Sequence, residues 1–194
     1  MTRTDLIALL ARYAERHPEE HGTTRRIRAL LEGELRCFER DCFVPGHITA
    51  SAWIVSRESR AVLLTHHRKL DRWLQLGGHT DGESDVLASA LREAREESGL
   101  ADFVVLPAGG EPWILDVDVH AIPARGDEPA HEHHDIRFLL ETSERLALER
   151  QRKESKALRW FPAAGLEARF SEESLARMAR KAAHWLAQWA PRSA

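Results

Sequence analysis

Apolar residues recur along this chain with two periods, and the switches between them outline the elements. Leu6, Leu9, Leu10 and Tyr13 repeat at helical spacing, as do Ile27, Leu30, Leu31 and Phe38. Two amphipathic helices are therefore expected in residues 1–43. Pro18 and Gly22 separate them, and Thr23 or Thr24 is expected to cap the second. Pro45-Gly46 breaks the helical pattern. Residues 47–55 then read as a strand, 56–60 as a turn and 61–65 as the hairpin partner. Residues 73–76 run directly into a double glycine, and residues 113–122, 133–140 and 156–161 are strand-like, the last ended by Pro162. Leu175, Met178, Ala182, Trp185, Leu186 and Trp189 form the apolar stripe of a C-terminal helix, with Ser171 as its expected cap.

Strands mixed with few helices predict an α/β (α+β) sandwich. The expected organisation is a helical extension over residues 1–43, packed on the main domain or forming a dimer surface, and a main domain over 44–194. A chain of 194 residues, 43% hydrophobic and 30% charged, suits one globular domain of this kind. Its net charge of −3 gives no reason to expect a nucleic-acid polymer as partner. No apolar run approaches a membrane span, and the first 20 residues lack a signal-peptide core, so a cytoplasmic protein is expected. Cys37 and Cys42 are too few and too close for a disulfide framework and read as reduced structural thiols.

The densest chemistry lies in residues 77–100. A glycine loop, Gly77-Gly78, feeds a short helix carrying Glu93, Glu96 and Glu97, and Gly99 closes that helix as a C-cap. Positions three and four apart share a helix face, so Glu93 stands beside both other glutamates. Three carboxylates on one face repel unless a positive charge lies between them. A hard divalent cation with oxygen ligands, Mg2+ or Mn2+, meets that need. A solvated acidic face, salt-bridged by Arg92 and Arg95, is the competing reading.

The run Arg92-Glu93-Ala94-Arg95-Glu96-Glu97-Ser98-Gly99-Leu100 resembles the second half of the signature of the Nudix (MutT-like) hydrolases, with Ala94 small for its slot. Counting back from Arg92 puts Gly78 on the signature glycine but Ser84 where the pattern has Glu, the nearest Glu being Glu83. Either the loop is shifted by one residue or Ser84 itself caps the helix. The resemblance implies a Nudix-type α/β/α sandwich with a mixed sheet. It also implies metal-dependent hydrolysis of a small-molecule diphosphate, a nucleoside diphosphate joined to another group. By the same resemblance Glu93, Glu96, Glu97 and the Gly78 carbonyl would ligate metal. Glu93 would serve or orient the base, and Arg92 would tether the glutamates. Alternatives are a non-catalytic ligand-binding module of the same fold and an enzyme like isopentenyl-diphosphate isomerase. The isomerase has a metal-binding Gly-His preceded by cysteine, where this chain has Gly77 before Gly78-His79.

A second constellation lies on two strands. His131, His133, Asp135 and Arg137 alternate onto one face, while His134, Ile136, Phe138 and Leu140 take the other. Asp116, Asp118 and His120 are expected to oppose Leu115, Val117 and Val119 in the same way. Matched polar faces predict a substrate pocket with His79, His133, Asp135 and Arg137 reaching a phosphate, or else two solvated faces. The resemblance also implies one further acid outside the motif helix, for which Glu154 is the candidate, in competition with Glu144 and Glu149. Trp53, Trp73 and Trp113 read as core or as platforms for a base.

Overall fold

The computed structural model describes residues 1–170 and 172–187, so the expected cap Ser171 and Trp189 lie outside the described residues. Helix α1 (Arg3–Arg16) opens with a capping box in which Thr2 and Asp5 exchange bonds. A short 3-10 turn, Pro18–Glu20, leads into α2 (His21–Gly33). Gly22 thus lies inside α2, whose N-terminus has no side-chain cap. Thr24 instead bonds back to the Glu20 and His21 carbonyls within the helix. The helix stops at Gly33, so Phe38 reaches the core from the turn beyond it.

The sheet has eight strands. At its centre β1 (Gly46–Ser56) is buried along its whole length. It pairs in parallel with β7 (His131–Thr142) over eleven residues, from Gly46 opposite Glu132 to Ser56 opposite Thr142. Its other edge is shared by β2 (Val62–His67) and β4 (Leu76–His79), both antiparallel. The stretch expected to run into a glycine loop forms two short strands, β3 (Arg72–Leu74), which pairs β2, and β4, so Gly77 and Gly78 lie in a strand paired to β1 rather than in a loop. Beyond β7 lie β6 (Ile114–Ile122) and the two-residue β5 (Val104–Val105), and β8 (Ser155–Phe161) pairs β2.

Two faces follow from the alternation of β1 and β7. Ile48, Ala50, Ile136 and Phe138 turn toward α1, α2 and α3 (Val86–Ser98), joining Leu6, Tyr13, Ile27, Val86 and Ala90 in one core. Trp53, Val55 and Leu139 turn the other way, toward α4 (Leu166–Arg169) and α5 (Glu173–Ala187), whose Leu175, Met178 and Ala182 meet them. Trp53 is thus core. Trp73 stacks on His66, and Trp113 lies under Arg16 and against Trp185. A bulge in β6 between Ile114 and Asp116 corrects one expected face. The extra residue sends Leu115 into the α5 core, while Val117 and Val119 join the α3 side. Cys37 and Cys42 are both free and buried. Among the described residues no helix is long and apolar enough to cross a membrane.

Candidate functional site: a carboxylate cage on a glycine strand

Helix α3 is capped by Asp85, whose side chain accepts from the Ala88 N–H at 3.0 Å. The expected cap Ser84 stands one residue too early, and Glu83 accepts from the Asp85 N–H rather than joining the glutamate cluster. At the far end Gly99 takes the left-handed conformation, φ 74°, and its N–H closes on the Arg95 carbonyl. A Cβ there would also strike Glu149 at 2.5 Å, so glycine is required twice over.

The buried stripe of α3 is Val86, Ala90, Glu93, Ala94 and Glu97. The alanines let the helix lie close on β1 and β4, and that closeness takes two carboxylates out of water. Glu93 is 9% exposed and Glu97 5%. Glu93 lies directly over Gly78, where an added Cβ would meet its carboxylate oxygen at 2.7 Å. Glu97 accepts the Gly77 N–H at 3.1 Å. Arg92 bridges the helix to the strand, donating to Glu93 at 2.7 Å and to the His79 carbonyl at 2.7 Å, with Glu96 at 3.8 Å. Glu96 is half-exposed on the flank.

Burial raises the Glu93 carboxyl above its usual range, partly offset by Arg92, and neighbouring Glu96 and Glu154 push the same way. Burial likewise pushes Glu97 up to about 8. The Gly77 N–H opposes it, and Glu93, Glu154 and Glu96 reinforce it. Glu154, just before β8, therefore joins the field of the three helix glutamates from a separate part of the chain. Two buried carboxylates, Glu93 and Glu97, thus hold their protons more tightly than usual beside the glycine strand. A divalent cation with oxygen ligands would take the place of those protons, so the donor set fits Mg2+ or Mn2+.

The β7 polar face lies elsewhere. His133, Asp135 and Arg137 project from the sheet face opposite α3, so the expectation that they point toward Glu93 is not met. Nor are they solvated. Arg137, 2% exposed, donates to Asp135 at 2.7 Å, Asp116 at 2.8 Å, Ser174 at 2.6 Å and Asp118 at 3.2 Å. Asp135 also accepts from Thr49 and Ser51. From α5, Arg177 forks onto Asp116, and Lys181 reaches Asp116 at 2.6 Å. Burial alone would raise Asp116, but the Arg177 hydrogen bonds and the charges of Arg137 and Lys181 hold it below the usual carboxylate range. Arg137, expected to hold a phosphate, is instead used with Asp116 to clamp α5 to the sheet, while His133 stands apart from this network beside His47.

His79 corrects another expectation. Only its carbonyl faces the glutamates. Its ring turns to the opposite face, 5.1 Å from the His47 ring and 5.3 Å from that of His133. His47 gave no sequence signal, since a lone His at the start of a strand is ordinary. Pairing of β1 with both β4 and β7 is what brings it to the others.

The sequence profile of the NUDIX domain matches residues 45–186. No curated protein matches the chain. Among solved structures, a NUDIX-family hydrolase from Clostridium perfringens is 27% identical, with a TM-score of 0.54 over 72% of this chain and 97% of that one. A C. elegans Ap4A hydrolase is 16% identical, with a TM-score of 0.57 over 73% of this chain and 98% of its own. The E. coli dihydroneopterin triphosphate pyrophosphohydrolase is 15% identical, with a TM-score of 0.55 over 69% and 92%. The last two likenesses speak to the fold alone. With the domain profile spanning most of its length on this fold, the chain belongs to the NUDIX family.

Proposed function

We propose that this protein is a divalent-metal-dependent hydrolase that cleaves the pyrophosphate bond of a small-molecule diphosphate, a nucleoside diphosphate linked to another group. The observation that carries the reading is the placing of two buried carboxylates, Glu93 over Gly78 and Glu97 on the Gly77 N–H, against a strand of glycines, with Glu96 on the same helix flank. Glu93, Glu96, Glu97 and the Gly78 carbonyl are assigned as the holders of Mg2+ or Mn2+. The bound cation supplies charge neutralisation on the diphosphate oxygens and lowers the pKa of bound water.

The chain's own residues do the rest. Arg92 fixes the Glu93 carboxylate and ties it to β4 through the His79 carbonyl. Glu93, with its raised proton affinity, is the group suited to take a proton from attacking water or to orient the group that does. Glu154 contributes a fourth acid from outside the helix. The protein is assigned to the cytoplasm, with a small molecule as its partner.

The test is a panel of dinucleotides, ADP-sugars and nucleoside triphosphates incubated with Mg2+ or Mn2+. Phosphate-containing products are expected from at least one compound, with none after chelation. Tight ligand binding without turnover would make the protein a binding module instead. Conversion without cleavage of the diphosphate would make it an isomerase.

A further inference from the structure

On the sheet face away from the glutamates, His47 of β1, His79 of β4 and His133 of β7 each bring a ring nitrogen within 4.8 Å of the other two. Cross-strand pairing aligns them, His47 lying opposite His133 and Thr49 opposite His79. His47 is 1% exposed. Its Nδ1 lies 3.1 Å from the Cys42 carbonyl, which can only accept, so Nδ1 carries the ring proton. Nε2 is then a bare lone pair, buried and without a hydrogen-bond partner among the described residues. A buried acceptor left unmatched is destabilising. A metal ligand has this same form, since a ligating histidine usually gives its other N–H to a carbonyl or carboxylate. His131 repeats it, with Nδ1 on the Pro129 carbonyl at 2.8 Å and its ring stacked on His47.

We propose that His47, His79 and His133 form a second metal site, specific for a borderline transition cation of the Zn2+ class and separate from the glutamate cage. Three imidazoles match a three-histidine Zn2+ centre that leaves a fourth position to water or a ligand. A hard cation such as Mg2+ prefers the oxygens of the other face. Tetrahedral nitrogens at about 2.0–2.1 Å from Zn2+ stand roughly 3.4 Å apart, so small ring rotations close the site. His79 and His133 are half-buried, which leaves a route in from solvent past His120 at the rim. The two sites stand back to back across β4, because the His79 carbonyl is the atom Arg92 grips.

The test uses the full chain stripped of metal, titrated with Zn2+, with Co2+ as a spectroscopic probe and with Mg2+. The wild type and Glu97→Gln are both expected to take one tight equivalent of Zn2+ that excess Mg2+ does not displace, and to gain thermal stability from it. Co2+ should show the intense visible bands of low-coordinate imidazole ligation. His133→Gln and His79→Gln should each weaken Zn2+ binding by about 100-fold or more, since even a supporting residue of a zinc site is worth about 10–100-fold. Folding of both variants is checked by circular dichroism, and either one suffices. Absence of Zn2+ binding in the wild type overturns the proposal. So does binding that survives both His substitutions, or that Glu97→Gln removes.

Discussion

Glu97 concentrates the electrostatic tension of the molecule, and substituting it separates metal binding from folding. Glu97→Gln keeps an acceptor for the Gly77 N–H and removes one charge from the cage. Activity should fall to background, while the metal-free protein unfolds at the same temperature or slightly higher, as calorimetry in a chelator would show. A carboxyl whose pKa is raised from its ordinary value to about 8 binds more protons folded than unfolded between those limits. Its contribution is present at low pH and is lost as pH rises through about 8. The buried histidines, their pKa values lowered, give the opposite slope, but theirs ends near the ordinary imidazole value. Between about pH 6.5 and 8 the metal-free wild type should therefore lose up to about 1.4 kcal/mol of stability per pH unit. Glu97→Gln should be flatter, and urea denaturation across that range reads the difference. Equal slopes would mean that Glu97 is ionised throughout. At Gly78 the constraint is steric. Gly78→Ala puts a methyl 2.7 Å from the Glu93 carboxylate and should cost most of the activity, with the fold intact by circular dichroism.

At the scale of elements, the contact between α5 and the sheet is an ion network rather than a substrate cleft. Arg137→Met leaves Asp116 and Asp135 buried without their shared partner, and removing one member of such a group typically costs about 3–5 kcal/mol. Urea unfolding should show a loss of that size, and a loss below about 1 kcal/mol would mean the network is dispensable. Here the sequence was only half legible. Strict alternation in β7 displayed the polar face, but alternation cannot name what covers it. The partners Ser174, Arg177 and Lys181 lie on a helix some forty residues away. Their spacing reads as an ordinary solvated flank. The β6 bulge was invisible for a related reason, since one extra residue changes no composition and only the pairing with β7 reveals it. The motif helix was legible because its signals are local. Glycine at the C-terminus and carboxylates three and four apart act within one turn or two. Its N-terminus was less so, since Ser84 and Asp85 are both good caps and the backbone chose the second.

For the whole molecule, the sheet divides the chemistry into two faces, and β4 is the partition. Its glycines serve the glutamates on one side, and its His79 ring joins the histidines on the other. The N-terminal helices belong to the same body, for Leu6, Leu10, Tyr13, Ile27 and Leu31 share a core with Ile48, Ile114 and Phe138. Deleting residues 1–43 should expose that core and yield aggregated protein, which size-exclusion chromatography would reveal. Periodicity showed those helices to be amphipathic without showing what they cover, because the surface that receives them is assembled from three distant strands. Glu154 illustrates the same limit, a loop glutamate in the sequence whose charge acts on Glu97 and Glu93 in the fold. The most direct test of the central claim is the hydrolysis rate of the best substrate in the panel, for wild type and Glu97→Gln, with Mg2+ and after chelation. The account predicts turnover in the wild type with metal alone, falling to background in the other three conditions. Metal-independent turnover, or full activity in Glu97→Gln, would contradict it.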